Sequence, residues 1–323
     1  MHSTRYWRLA AVATAAGAAA ACSGGSGDGD SGSSTLTLSL MDAAVDHVTE
    51  VHVEITAIWL KPAGGPAVQL PLTDTPITVD LLELTEDNAA ILVDGALVDA
   101  GTYEWLAMDV NAELDNVFDS YVLTDTGGME EIRVPSGRVR LVSGFEVAEA
   151  QAVQFLFDWD LRQALVDPPA FDPGFLLKPA FRVIDVTEYG VLGGTIAVDS
   201  VTDAANDCNA DDPVGLDYDV GNVVYIYAGA GVTPDDVDAS DPEPVTTVEA
   251  VLNADSTHYV YRTLLAPGEY TAAFTCHGGN DTDADELGLT DPLDDTVAFF
   301  APAAEVTMTA DSELTVDFPV ATP

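Results

Sequence analysis

From Thr35 onward, apolar and polar residues alternate in short runs. Thr35-Leu36-Thr37-Leu38-Ser39-Leu40 puts three leucines on one face, the period-two signature of a half-buried strand. The pattern returns between Val48 and Leu60, with Val51, Val53 and Ile55 on one side and His52 and Glu54 on the other. Further runs follow at Val68–Leu72, Ile77–Leu84, Gly101–Val110, Glu130–Val134 and Arg138–Val142. Turn formers punctuate them, among them Gly64-Gly65-Pro66, Asp74-Thr75-Pro76 and Pro135-Ser136-Gly137. Phe155, Phe157 and Trp159 alternate into a core face, and Leu161 to Val166 reads as one helical turn before the proline-rich stretch at 168–173. Leu177 to Val186 reads as a closing strand. A boundary is expected near Glu188–Gly194, where two glycines precede a fresh strand, Thr195–Val201. Strands then recur at Val223–Ala228, Thr246–Leu252, His258–Leu265, Glu269–Phe274, Thr296–Phe300 and Leu314–Phe318, between long acidic loops. Many short, evenly punctuated strands predict an all-β sandwich or barrel class, in two domains, residues 35–187 and 194–323; a leucine–glycine–tyrosine corner repeated in each favours two tandem β-sandwiches.

The first 34 residues do not fit that pattern. Arg5 and Arg8 precede an uncharged, alanine-rich stretch, Leu9–Ala21, and then Cys22. A basic start, a short apolar run and small residues form a secretory signal peptide, too short to span a bilayer. The alanines before Cys22 resemble the lipobox of prokaryotic lipoproteins, in which the cysteine is lipidated and becomes the mature N-terminus. Ala19 departs from the usual leucine. The alternative is a plain secreted protein with a chance cysteine. Residues 1–21 are thus read as signal peptide and 22–34, nearly all Gly, Ser and Asp, as a flexible tether. Gly29-Asp30-Ser31-Gly32 superficially matches the serine environment of a protease, but nothing around it could build an oxyanion site.

Charge narrows the function. The 323 residues hold 55 Asp+Glu against 10 Lys+Arg, a formal net charge of −45. Such a chain repels phosphate backbones, which sets nucleic-acid binding aside. Lys61 and Lys178 are the only lysines, and the acid-rich, lysine-poor composition resembles halophile proteins, whose self-repulsion is screened by salt. A calcium-loaded extracellular protein is the competing explanation.

Candidate chemistry is sparse. With Cys22 lipidated, Cys208 and Cys276 remain, and an oxidising compartment favours a disulfide between them over two free thiols or half a metal site. The loop Asn280–Glu286 places Asp281, Asp283 and Asp285 at alternate positions, so these are candidate Ca²⁺ ligands. Glu286 and Pro292 stand where an EF-hand needs glycine and glutamate, so the alternatives are an irregular calcium loop or a solvated acidic one. Of the histidines, His2 lies in the signal, and His47, His52, His258 and His277 read as surface residues in a chain where every histidine has a carboxylate nearby. Asp158 and Asp160 flank Trp159; a glycosidase uses two carboxyls about 5–9 Å apart, but alternation puts both on a polar, solvated strand face. Arg133, Arg138 and Arg140 are expected in salt bridges with neighbouring carboxylates. Tyr225, Tyr227, Tyr259 and Tyr261 alternate as either core packing or a sugar-stacking row.

Two resemblances complete the reading. Leu97-Val98-Asp99-Ala100-Gly101-Thr102-Tyr103 is echoed by Leu264-Leu265-Ala266-Pro267-Gly268-Glu269-Tyr270. A leucine anchoring a turn, a glycine at φ > 0 making the corner and a tyrosine starting the next strand resemble transthyretin-like and carboxypeptidase-regulatory-like β-sandwiches. Leu38–Asp46, Val79–Leu84, Leu97–Tyr103 and Leu177-Lys178-Pro179-Ala180-Phe181-Arg182-Val183 together resemble the family called domain of unknown function 4382, over about 35–187. Ala44 departs from an expected proline. The resemblance implies a lipoprotein-borne β domain, often followed by a second sandwich, and no activity.

The expectation is a non-enzymatic envelope lipoprotein, held to the membrane by its lipid and serving binding, adhesion or scaffolding. Its partner is an envelope protein or polysaccharide, and Ca²⁺ is the one cofactor suggested. Ser23 after the cysteine points to the outer membrane in a Gram-negative host; in a haloarchaeon the anchor lies in the only membrane. The alternatives are a carbohydrate-binding accessory module or an envelope glycoside hydrolase.

Overall fold

A computed structural model describes residues 33–43, 48–85, 88–124, 127–134, 136–140, 144–166, 174–203, 205–206, 208, 221–237, 242–281 and 297–319. Among these residues the chain is all-β, with four sheets and only short helical turns. Cys22, the tether up to Gly32, His47, Asp283 and Asp285 lie outside the described residues.

The opening strand, Ser33–Ala43, is central to a four-stranded sheet ordered Phe181–Asp185, Ala152–Asp160, Ser33–Ala43, Ala90–Asp99. Its alternation works as expected: Leu36, Leu38 and Leu40 are at most 1% exposed and lie in register beside Val153, Phe155 and Phe157 of the parallel neighbour. Apolar side chains thus line one pleat face and meet the second sheet of this half. That larger sheet is organised around Val48–Pro62, which pairs with Gly101–Val110, Val68–Leu70, Ile77–Asp80 and Tyr121–Thr124. The core between the sheets runs from Leu36 to Leu177.

Residues 190–315 build two four-stranded sheets around a second core. One orders Val251–Leu252, His258–Leu265, Gly190–Ala197, Glu313–Thr315; the other Thr246–Glu249, Val223–Ala228, Gly268–Thr275, Ala304–Met308. The first of these strands begins at Gly190 rather than Thr195, so Gly193 and Gly194 lie within it, and Val198–Thr202 turns into a short helix. Gly194 is required there: the Val316 carbonyl oxygen sits 1.7 Å from where a Cβ would stand. The glycine pair thus lies inside the strand, where it admits a neighbouring backbone, rather than ahead of it.

The echoed corners are real but unequal. The Tyr103 hydroxyl donates to the Asp99 carbonyl at 2.8 Å, and the Tyr270 hydroxyl to the Ala266 carbonyl at 2.9 Å, the same four-residue reach. Gly101 has φ 145°, as expected, but Gly268 lies outside the positive-φ region. Nor does each leucine anchor its turn: Leu97 is 75% exposed, whereas Leu264 is buried. Leu264 packs with Met41, Leu156 and Ile184 of the first half, forming a small apolar seam between the two cores.

Candidate functional site

The strand Ala152–Asp160 runs directly into the helical turn Leu161–Ala164, and this segment meets the second half. Asp158 and Asp160 are therefore not on a solvated face: they are 2% and 5% exposed. Alternation did place them together on the pleat face opposite the core. That face is covered by Thr246, Thr247 and Thr263 from the second half; Thr246 and Thr247, with Arg182 and Gln163, bond Asp158 Oδ2 and both oxygens of Asp160. Arg182, in register with Asp158 on the adjacent strand, donates from Nε to Asp158 Oδ2 at 2.6 Å and from Nη2 to Thr263 Oγ1 at 3.0 Å. Thr246 Oγ1 also donates to Asp158 Oδ2, at 3.3 Å. Asp160 accepts from the Thr247 backbone N–H at 2.8 Å, from the Thr247 hydroxyl at 3.1 Å and from Gln163 Nε2 at 3.0 Å. Burial, then the nearby Asp158 charge, raises the Asp160 pKa against the Thr247 hydrogen bonds and Arg162. Arg162, itself buried, reaches the Gly278 carbonyl at 2.6 Å. A buried ion pair adds little net stability, but losing one partner is costly, so the junction is held in a single geometry.

Beside this junction opens a cleft of about 630 Å³, inside the roughly 300–1,000 Å³ typical of small-ligand sites. Asp42, Asp158, Thr195, Thr247, Arg262 and Thr263 contribute to its lining, so both halves build it. Asp158 Oδ1 is buried there without a protein hydrogen-bond donor. The signal available in the sequence was the pair of carboxylates inside the bulky run Phe155–Trp159. What it lacked was the identity of the covering surface, supplied by residues some 90 positions away.

In the second half, Cys208 and Cys276 form a disulfide, with a sequence separation of 68. Asp281 lies nearby, but its oxygens are engaged: the Tyr225 hydroxyl donates to Oδ2, and the Val237 N–H to Oδ1 at 3.2 Å. Burial pushes its pKa up to about 7, against the Arg162 charge. Tyr225, Tyr227, Tyr259 and Tyr261 are at most 3% exposed and belong to the core, so they offer no stacking surface to a sugar. Arg138 forms the expected salt bridge, with Nη2 2.8 Å from Asp109 Oδ2, and lies over the Trp59 ring. Trp59 Nε1 donates to the same carboxylate at 2.7 Å.

His258 bonds locally to Thr257, and His277 is buried. His52 has more company than a lone surface histidine. Its Nε2 lies 2.8 Å from Glu50 Oε2, its ring stacks on Tyr121 with centroids 4.5 Å apart, and Asp80 is its register partner across the sheet. Glu50, His52 and Asp80 each offer a donor atom within 4.8 Å of the others.

The family model of DUF4382, a domain of unknown function, matches residues 33–179. The match thus ends before the Asp158–Arg182 pair closes: Asp158 lies within the matched residues and Arg182 just beyond them. No curated protein matches. Among solved structures, a candidate adhesin from Bacteroides ovatus is similar at 10% identity, covering 94% of this chain and 100% of that one, with a TM-score of 0.18. A major pilin of Streptococcus pyogenes is similar at 11% identity, covering 88% and 97%, with a TM-score of 0.14. Among the described residues, no helix is long and apolar enough to cross a membrane.

Proposed function

We propose that this chain is a non-enzymatic envelope lipoprotein, anchored through Cys22, that binds a hydroxyl-rich envelope partner such as a polysaccharide in the cleft between its two halves. The observation that carries this is the cleft itself, lined from both halves by polar side chains including Asp42, Glu249, Arg262 and Glu313, on walls fixed by the Asp158–Arg182 pair. Hydroxyl groups on a ligand, which both donate and accept, match that lining. The carboxylates most suggestive of glycoside hydrolysis, Asp158 and Asp160, are tied to Arg182 and Thr247, which favours binding over acid–base work. Ca²⁺ in the loop from Asp281 through Asp283 and Asp285 remains part of the proposal, and equal calorimetric melts with calcium and with chelator would remove it. The cleft is tested by glycan-array binding of the full chain beside Val251→Trp, which fills the cleft mouth from an exposed lining position. Binding lost in the variant supports the reading; equal binding overturns the cleft as the seat. Intact mass from native membranes tests the anchor: a lipid increment on Cys22 is expected, and an unlipidated chain overturns it.

A further inference from the structure

We propose that Glu50, His52 and Asp80 bind one divalent transition-metal ion of the Zn²⁺ class, leaving a coordination position open to solvent. Strand geometry brings the three together. Glu50 and His52 are two residues apart on Val48–Pro62 and so share a face, and Asp80 is directly opposite His52 on Ile77–Asp80. Each is partly exposed, so an ion can enter, yet each is held. Asp80 Oδ1 accepts from the Val51 and Leu82 backbone N–H groups at 3.0 and 3.2 Å, which orients its carboxyl independently of any ion. The Tyr121 ring, stacked 23° from parallel, fixes the plane of the imidazole.

The donor set selects the ion. Two carboxylates balance a 2+ charge. A hard cation such as Ca²⁺ takes six to eight oxygens, whereas a single imidazole and two carboxylates suit Zn²⁺, with water as the fourth ligand. Without metal, His52 Nε2 and Glu50 Oε2 share a hydrogen bond at 2.8 Å. On binding, Nε2 turns its lone pair to the ion and the ring proton resides on Nδ1. The site lies away from the cleft, and neither proposal depends on the other.

The test is a Zn²⁺ titration of the chelator-stripped full chain in excess Ca²⁺, which occupies nonspecific carboxylates. One equivalent is expected to bind. His52→Phe keeps a ring against Tyr121 and removes both nitrogens, and it should weaken binding by more than the roughly 10- to 100-fold that a lost outer-shell contact costs. Glu50→Gln should weaken it about tenfold or more, with its metal-free melt unchanged; it serves as the readout should the His52 variant unfold. Co²⁺ in the same site should give visible bands without a thiolate charge-transfer band. No stoichiometric binding surviving Ca²⁺, or wild-type affinity in both variants, overturns the proposal.

Discussion

The two leucine–glycine–tyrosine corners make the same hydrogen bond and stand in opposite surroundings. Tyr103 and Tyr270 each donate to the carbonyl four residues back, at 2.8 and 2.9 Å. Leu97 nevertheless faces solvent while Leu264 closes the seam against Met41, Leu156 and Ile184. A local motif therefore dictates how the chain turns, and the partner surface decides what the turn is worth. The same contrast separates two arginine–aspartate pairs. Arg138 and Asp109 meet on a surface of the first half, whereas Arg182 and Asp158 meet where the halves join, with Asp158 2% exposed.

The largest difference between the halves is covalent, since the described disulfide belongs to the second. Replacing Cys208 and Cys276 with serine should lower stability by about 4 kcal/mol on the loop-entropy estimate for a 68-residue separation. Denaturant unfolding followed by probes in each half should show the loss in the second while the first keeps its transition. Equal loss in both would mean that the halves unfold as one unit and that the comparison describes surfaces only.

Next in size is the junction. Arg182→Ala leaves Asp158 buried without its countercharge and should cost about 3 kcal/mol, with faster proteolysis between the halves. Arg138→Ala should cost less than about 1 kcal/mol, because its pair is partly exposed. Similar losses would show that solvent reaches Asp158 after all. Leucine truncation sharpens the same point at a smaller scale. Leu264→Ala should cost about 2 kcal/mol or more, as buried leucines do, and Leu97→Ala almost nothing in a thermal melt. The two Tyr→Phe changes, at Tyr103 and Tyr270, should be alike at about 1 kcal/mol each, since each removes one hydroxyl-to-carbonyl bond.

Alternation made the sheets legible because burial of one pleat face acts on every second residue: Leu36, Leu38 and Leu40 fall where the period puts them. The disulfide was legible by elimination among three cysteines. The junction was not, for a physical reason. Period two says that Asp158 and Asp160 share a face opposite Phe157 and Trp159, but a distant part of the chain can cover that face as well as water can. Thr246 and Thr263 carry no signal of what they touch. The tyrosine row shows the converse. Tyr225 and Tyr227 alternate with Ile226, yet all three are buried, because this strand lies inside packing on both faces. The triad at His52 was half legible: His52 was on the polar face, and its pairing with Asp80 required the register.

The smallest effect is a difference in slope with pH. Burial alone would raise the Asp109 carboxyl, but hydrogen bonds from Arg138 and Trp59 and the Arg138 charge outweigh it, and its pKa is lowered. Its contribution to stability is present above the ordinary carboxylate value of about 4 and is lost as pH falls through the folded value. Asp160 has the opposite sign. Burial and Asp158 raise it, so the folded state holds its proton longer than the unfolded chain does. Its contribution is present below about pH 4 and is lost as pH rises through the folded value. Measured in concentrated salt, which screens the general repulsion of a −45 chain, Asp109→Asn should flatten the acid limb of the stability profile. Asp160→Asn, which keeps an oxygen for Thr247, should remove a decline on the rising side. If both variants shift the profile in the same direction, Asp160 is hydrated, and the junction is no drier than the surface pair it is compared with.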